Sequence, residues 1–147
     1  MNNYFVILAA GKSKRFHKKI SKQFYNYKNK ELIDHSIEKS LNSKLFKKII
    51  IVTNYINRFK RKNYPKSVSV IKGGKERSDS SLQALKYLRK YNPMNVFIHD
   101  AARPNFSIKL LDNISKNLKK NKAVVPVINS KDSIKYKIQN QMFNLKR

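Results

Sequence analysis

The chain has 147 residues, enough for one domain with its own apolar core, and no window in it approaches the roughly 20 apolar residues of a membrane-spanning helix. It contains no cysteine, which excludes disulfides and thiolate metal sites. This is compatible with the reducing cytoplasm, where we expect the protein to be, and the first residues do not predict a signal peptide. With 34 basic and 8 acidic residues it carries a net charge of +26, which favours anionic partners such as phosphorylated small molecules, nucleic acid or anionic membranes.

The high charge also has a compositional explanation. Lysine outnumbers arginine, asparagine is abundant, and the basic residues are scattered along the whole chain, as a coding bias toward Lys and Asn would produce. Zinc-knuckle spacings, aromatic RNP motifs and Gly-rich basic tails, which mark many nucleic-acid-binding proteins, do not occur in the sequence. We therefore expect neither nucleic acid nor a membrane to be its main partner.

The first predicted element is a strand over Tyr4–Ala9, a near-continuous apolar run typical of central parallel strands. It leads into Ala10–Phe16, where small residues let backbone N–H groups approach an anion, Gly11 can adopt a positive φ, and basic residues add charge. The second glycine and the Gly-Lys-Ser/Thr ending of a Walker A loop are missing. The following stretch, Lys18–Lys30, has no helical period and is predicted to be a loop laid over the site.

The middle of the chain alternates predicted helices and strands. In chain order these are a helix over Glu31–Leu41 with Leu32, Ile33, Ile37 and Leu41 on its apolar face, a strand over Ile49–Thr53, a short basic helix over Tyr55–Lys62 and a strand over Val68–Ile71. The glycine pair Gly73–Gly74 then opens a second loop with a flexible backbone. Ser80 lies in the opening turns of the next helix, whose predicted buried stripe is Leu82, Leu85 and Leu88.

The fourth predicted strand, Val96–Ile98, leads into an acid at the position where open α/β sheets bind their ligands. Because only eight residues in the chain are acidic, Asp100 is a candidate metal ligand, and the alternative is a loop aspartate that caps the next helix. His99 is interpreted as a packed residue at the strand end and not as a catalyst. Pro104 prevents the strand from continuing.

The last predicted elements follow Ser107, which is a candidate N-cap. They are a helix with Ile108, Leu111, Ile114 and Leu118 facing inward, a strand over Ala123–Ile128 that its proline places near an edge, and a hairpin-like extension over Ile134–Ile138. Strands alternating with amphipathic helices predict an α/β fold, a Rossmann-like, mostly parallel sheet with helices on both faces. Three strands end in loops rich in small, cationic or acidic residues at one edge of this sheet, a combination that suits a nucleoside triphosphate with Mg²⁺.

Five segments carry a resemblance to one known family. They are Leu8–Gly11 with Arg15, Ser21–Phe24, Gly73–Ser80, His99–Pro104 and Asp132–Lys135. In their order and spacing along nearly the whole chain they resemble the 2-C-methyl-D-erythritol 4-phosphate cytidylyltransferase family, and the Gly-Gly and His-Asp-Ala-Ala-Arg-Pro motifs are the most specific. The resemblance implies a nucleotide-diphospho-sugar transferase-like fold and an enzyme of the non-mevalonate isoprenoid pathway. Such an enzyme transfers CMP from CTP to methylerythritol phosphate, releasing pyrophosphate, without a covalent intermediate.

The resemblance also implies roles for individual residues. Arg15 and Lys22 would be the catalytic pair that holds the triphosphate and stabilises charge at the α-phosphate. The implied nucleotide-binding residues are Ala9, Ala10, Gly11, Ser13, Gly74, Ser80, Asp100 and Ala101. Asp100 would also bind Mg²⁺, and the methylerythritol phosphate would contact Arg103, Ser133 and Arg147. The segment Ile134–Ile138 would be a dimer arm, which implies a homodimer.

The sequence departs from the family in two places. Lys75 stands where the family commonly has an acid or a small polar residue beside the cytosine. The sequence also stops at Arg147, before the family's Thr-Pro-Gln segment, a further helix and a late Lys-Val-Thr stretch. We therefore expect a single nucleotidyltransferase domain over residues 1–147 that lacks the C-terminal segment. We expect CTP binding to be better preserved than catalytic turnover. A fragment, an interrupted reading frame and a shortened protein are all compatible with this.

Two alternative functions stay open at the level of sequence. One is a cytidylyltransferase of similar fold that acts on ribitol phosphate. The other is an inactive relative that binds polyanions or RNA through its basic charge, which steep salt dependence without nucleotide selectivity would reveal.

Overall fold

The computed structural model describes residues 2–13, 20–128 and 135–144. Within these ranges four parallel strands form a central sheet, and two short antiparallel pairs lie outside it. The strands are β1 (Asn3–Leu8), β2 (Asn26–Tyr27), β3 (Lys30–Glu31), β4 (Lys48–Thr53), β5 (Val68–Lys72), β6 (Asn95–Asp100), β7 (Lys135–Ile138) and β8 (Gln141–Asn144). The order across the central sheet is β5-β4-β1-β6, so the first strand in the chain lies in its interior.

Helices cover both faces of this sheet. They are α1 (Leu32–Asn42), α2 (Ile56–Lys60), α3 (Arg77–Leu88) and α4 (Ile108–Asn117), with 3₁₀ turns at Lys22–Phe24 and Arg89–Tyr91. Because side chains alternate along a strand, Phe5 and Ile7 of β1 join the core under α1, α2 and α4, whereas Tyr4 and Val6 join the core under α3. The predicted α/β fold with a parallel sheet and helices on both faces is confirmed.

Most of the predicted helices are confirmed at their predicted places. The predicted helix over Glu31–Leu41 coincides with α1 to within one residue at each end, and α2 lies inside the predicted Tyr55–Lys62. Ser107 caps α4 as predicted, because its side chain accepts a hydrogen bond from the Leu110 N–H. Ile108 was expected to face inward, but it occupies the first position of α4, at the end of the buried stripe, and is 40% exposed.

The buried stripe predicted for α3 is correct at Leu88 and wrong at Leu82 and Leu85. Leu82 and Leu85 are 50% and 43% exposed, and the residues that face the sheet are Ser80, Ala84 and Leu88. An α-helix turns by about 100° per residue, so Leu82 lies about 160° around the helix from Ser80. The small residues at 80 and 84 let the helix pack close to the sheet, and that requirement sets the orientation of α3.

The predicted strand over Ala123–Ile128 is also wrong. The segment has no regular secondary structure, and its backbone joins none of the sheets formed by the described residues. Val125, Val127 and Ile128 are 78%, 85% and 95% exposed. An apolar run becomes a strand only when a neighbouring strand accepts and donates its backbone hydrogen bonds, and Pro126 removes one of the donors.

The predicted hairpin-like extension is confirmed for the residues that the structure describes. β7 pairs with β8 in a separate antiparallel sheet, and Tyr136 stacks on Phe143 with 5.5 Å between ring centroids. Ile134 lies outside the described residues. The predicted loop over Lys18–Lys30 contains, in its described part, the first 3₁₀ turn and the short β2–β3 pair.

In the ranges that the structure covers, helices of the length and apolarity needed to cross a bilayer do not occur.

Candidate active site

The carboxyl ends of the central strands meet at one edge of the sheet. In the parallel register Leu8 of β1 pairs with Val52 of β4 on one side and with Asp100 of β6 on the other, and Thr53 pairs with Lys72 of β5. The loops after β1, β4, β5 and β6 therefore start from the same level. This confirms the prediction that the glycine-rich loops and the acid lie together.

Two adjoining cavities lie at this edge. The larger one, of about 640 Å³, is lined by Leu8, Ala9, Gly11, Ser13, Lys22, Gln23, Asp100, Ala101, Ala102 and Arg103. The smaller one, of about 200 Å³, is lined by Leu8, Ala10, Gly11, Gly74, Lys75, Glu76, Arg77, Ser80 and Asp100. Three residues are shared between the cavities, so a single ligand can extend from one into the other.

All of the predicted site residues that the structure describes line one of these two cavities. They are Ala9, Ala10, Gly11, Ser13, Lys22, Gly74, Ser80, Asp100, Ala101 and Arg103. Arg15, Ser133 and Arg147 lie outside the described residues.

The first loop (Ala9–Ser13) is held from below by a buried amide. Gln23 is 4% exposed, and its Nε2 donates hydrogen bonds to the Ala9 and Gly11 carbonyl oxygens at 3.1 and 2.9 Å. The positive φ that Gly11 can adopt is not used there; it occurs at Ser13, with φ 50°.

The second loop (Gly73–Glu76) approaches the first very closely. A Cβ atom on Gly73 would lie 2.4 Å from the Ala10 Cβ, which is too short for any side chain. The Gly74 N–H donates to the buried Ser80 Oγ at 3.1 Å, and Asn54 Nδ2 donates to the Ala10 and Gly74 carbonyl oxygens at 3.4 and 3.3 Å. The two loops therefore form one backbone-lined wall.

Asp100 is held between two arginines. Arg77 Nε donates to Asp100 Oδ1 at 3.0 Å, and Arg103 Nε lies 3.4 Å from Oδ2. The alternative interpretation, in which Asp100 caps the next helix, is wrong because Ser107 caps α4.

The oxygen ligands around Asp100 fit a divalent cation that takes most of its ligands from water or from a bound phosphate. Groups of three or more metal-ligating side chains are absent from the described parts of the chain. Glu76, the other acid lining the smaller cavity, is engaged in the capping box of α3 with Asp79. A single available carboxylate is compatible with Mg²⁺, since this ion takes most of its ligands from phosphate and water.

His99, next to Asp100, is a packed residue, as predicted. Its ring contacts Phe106 and Phe5, with centroid distances of 4.6 and 5.7 Å, and its buried Nε2 has no hydrogen-bond partner in the described part of the chain. Burial lowers the pKa of His99 to about 4, although the Asp100 charge and a hydrogen bond to the Arg103 backbone act in the opposite direction. His99 is therefore neutral at physiological pH.

This pKa predicts acid sensitivity in a defined window. The unfolded chain protonates His99 near its ordinary pKa of 6.5, before the folded state does, so the free energy of unfolding should fall as the pH drops from 6.5 toward 4. At pH 5 the loss should be about 2 kcal/mol relative to pH 7.5. Urea unfolding in metal-free buffer at the two pH values measures it. The variant His99→Asn should show a much smaller difference, and an equal difference in the variant would contradict the assignment.

Three residues of the site were not among the predicted ones. Gln23 and Arg77 lie within the matching motifs, but nothing in their spacing predicts their contacts. Gln23 is buried and donates hydrogen bonds to the first loop, and Arg77 pairs with Asp100. Asn54 had a usable signal. It directly follows β4, which lies between β1 and β5, so it must lie between the first and second loops.

Comparisons with known proteins agree with this geometry. The sequence model of the 2-C-methyl-D-erythritol 4-phosphate cytidylyltransferase family matches residues 4–144. The bifunctional enzyme IspD/IspF of Pelagibacter ubique is 47% identical over 148 aligned residues, which cover 100% of this chain and 40% of that protein. The 2-C-methyl-D-erythritol 4-phosphate cytidylyltransferase of Thermotoga neapolitana is 30% identical, with 90% of this chain and 61% of that enzyme covered. The structure of bifunctional IspDF from Campylobacter jejuni superposes with a TM-score of 0.83 at 28% identity, covering 100% of this chain and 37% of that one.

The chain thus spans 40% and 61% of the lengths of these two curated relatives. The matches do not favour the alternatives of a ribitol-phosphate enzyme or a polyanion-binding relative. The family match extends across all of the strand-end loops that line the two cavities. The chain therefore belongs to the 2-C-methyl-D-erythritol 4-phosphate cytidylyltransferase family.

Proposed function

We propose that the chain transfers CMP from CTP to 2-C-methyl-D-erythritol 4-phosphate, giving 4-diphosphocytidyl-2-C-methyl-D-erythritol and pyrophosphate. The observation that carries the proposal is the pair of adjoining cavities, which are lined by backbone from two loops, by exposed cations and by the carboxylates of Asp100 and Glu76. In this proposal the base would occupy the smaller cavity between the two loops, and the triphosphate would occupy the larger one beside Lys22. Family membership supports the same reaction.

In this proposal a phosphate oxygen of the acceptor attacks the α-phosphorus of CTP. A phosphorus–oxygen bond forms there, the bond to the β-phosphate oxygen breaks, and pyrophosphate carries away the electron pair. No proton has to move, so the protein acts by positioning and by stabilising negative charge. Lys22, whose side chain is exposed to the cleft, would neutralise that charge together with Arg15.

Asp100 would hold Mg²⁺, and the bound ion would supply Lewis-acid polarisation of the phosphate oxygens. Arg103, which is 79% exposed at the mouth of the larger cavity, would bind the acceptor phosphate with Ser133 and Arg147. The other nucleotide contacts would be those implied by the family motifs. Residues 1–147 would form one nucleotidyltransferase domain.

The proposal includes a cytoplasmic homodimer. The β7–β8 hairpin presents Ile138 and Met142 with 54% and 61% of their surface exposed, apolar area that a second copy of the chain would cover. The absence of cysteine is compatible with a reducing compartment.

A thermal-shift comparison with Mg²⁺ tests the proposed nucleotide. CTP at ~100 times its Kd should add ~2.7 kcal/mol to the free energy of unfolding, whereas ATP, GTP, UTP and inorganic triphosphate should add clearly less. Selective stabilisation by CTP would then justify an assay of turnover with methylerythritol phosphate. Equal shifts with every polyphosphate would mean that only the basic charge is recognised, and would contradict the proposal.

A further inference from the structure

The amide of Gln23 has every hydrogen-bonding group engaged with the first loop or its end. Nε2 donates one hydrogen to the Ala9 carbonyl at 3.1 Å and the other to the Gly11 carbonyl at 2.9 Å. Oε1 accepts from Ser13 Oγ at 3.1 Å. With 4% of its surface exposed, the side chain is buried beneath the loop at the wall of the larger cavity, and it has no free donor for a ligand.

Ser13 links this amide to Lys22. Its Oγ accepts a hydrogen bond from the Lys22 backbone N–H at 2.9 Å and donates its single proton to Gln23. The hydroxyl therefore has no proton left for a phosphate oxygen. Ser13 also has φ 50°, a left-handed conformation that costs free energy for a residue with a side chain and persists because these contacts hold it.

The other side of Lys22 is anchored separately. Ser21 Oγ and Tyr55 OH are 2.8 Å apart and share a hydrogen bond. Phe24 is 5% exposed and packs at nearly a right angle to the Tyr55 ring, with 5.1 Å between the ring centroids. The backbone of Lys22 is thus fixed on both sides, whereas its side chain is exposed to the larger cavity.

We infer that Gln23 is a positioning residue, which holds the first loop and Lys22 in the arrangement that binds the triphosphate. This rests on the proposed function for the identity of the ligand. Without the amide, the loop and the cation would have to be ordered when the ligand arrives, and that ordering would weaken binding. Because Gln23 lies beneath the first loop and does not line the smaller cavity, its effect should be confined to the phosphates.

The test compares ligands that carry different parts of CTP. Gln23→Met keeps the volume and removes all three hydrogen bonds, whereas Gln23→Glu keeps the acceptor for Ser13 and loses both N–H donors. Isothermal titration should show that both variants bind CTP and inorganic tripolyphosphate about tenfold more weakly than the wild type. Cytidine, measured by saturation-transfer NMR, should bind all three proteins equally. Ser40→Ala, which removes a buried hydrogen bond to the Ile37 carbonyl in α1, is the matched control and should leave all three ligands unaffected.

A pH series supplies a second measurement that a general loss of stability would not reproduce. A buried glutamate at position 23 faces two carbonyl oxygens, so it should take up a proton near neutral pH and regain one donor. Tripolyphosphate binding by Gln23→Glu should therefore recover several-fold between pH 8 and pH 6 relative to Gln23→Met.

The outcomes separate this inference from the proposed function. A wild type that binds tripolyphosphate without preferring CTP would overturn the cytidine assignment and leave the role of Gln23 intact. A wild type selective for CTP with unchanged tripolyphosphate binding in both Gln23 variants would overturn the positioning role. An equal loss of cytidine and tripolyphosphate would also overturn it, because the substitution would then disturb the whole cleft.

Discussion

Replacing Asp100 by asparagine should reduce the proposed CMP transfer by about 10³-fold, because it removes the charge that would hold the cation beside the α-phosphate and keeps the shape of the side chain. The folded state should be almost unaffected. Both arginine partners of Asp100 are largely exposed, with 66% and 79% of their side-chain surface accessible, and exposed ion pairs contribute little to stability. A thermal melt should therefore show nearly equal Tm values for the variant and the wild type.

Binding experiments should show that the effect of Asp100→Asn on CTP affinity reverses between metal-free buffer and buffer with Mg²⁺. In EDTA, Asp100→Asn should bind CTP at least as tightly as the wild type, since a negative charge next to the triphosphate has been removed. With Mg²⁺ the wild type should gain affinity and the variant should not. Isothermal titration with and without Mg²⁺ measures both effects and does not depend on turnover.

The control for Asp100→Asn is Glu38→Gln, which removes one carboxylate from the exposed Lys30–Glu38 pair outside the cleft. It should respond to Mg²⁺ like the wild type. An undiminished Mg²⁺ effect in Asp100→Asn would show that the metal is held without this carboxylate.

The parts of the site that were predictable from sequence are those fixed by the sheet. Once the apolar runs are recognised as parallel strands, residues that follow them must gather at one edge, which places Gly11, Gly74 and Asp100 together. The order of the sheet adds Asn54 by the same logic. Local signals were also sufficient for the Ser107 cap, since a cap depends only on its own first turn.

The predictions that were wrong, and the contacts that were missed, depend on residues distant in the sequence. The face of α3 is set by close packing at Ser80 and Ala84, which outweighs the larger apolar area of Leu82 and Leu85. The run Ala123–Ile128 has strand-like composition, but composition does not provide a neighbour for its backbone. The role of Gln23 follows only from the three-dimensional contacts of its amide.

The other large expected effect is on stability, and it comes from a substitution in the second loop. Gly74→Ala should lower the free energy of unfolding by about 3 kcal/mol, because the new methyl group has no space and the surrounding backbone has to move. Its Cβ would lie 2.1 Å from the Asp79 Cβ and 3.1 Å from the Asp79 carbonyl carbon, in the first turn of α3. The shift would also break the hydrogen bond from the Gly74 N–H to Ser80 Oγ and disturb the capping box.

Gly11→Ala is the matched control, because it makes the same chemical change in the neighbouring loop. Among the residues that the structure describes, no atom lies within 4 Å of the Cβ position, and φ of Gly11 is not positive, so alanine fits without strain. By restricting the unfolded chain it should change stability only slightly, by roughly 0 to 1 kcal/mol in the stabilising direction. Urea midpoints measured side by side would separate the two variants clearly. If Gly74→Ala unfolded at the same midpoint as Gly11→Ala, the close approach of the second loop to α3 would be wrong.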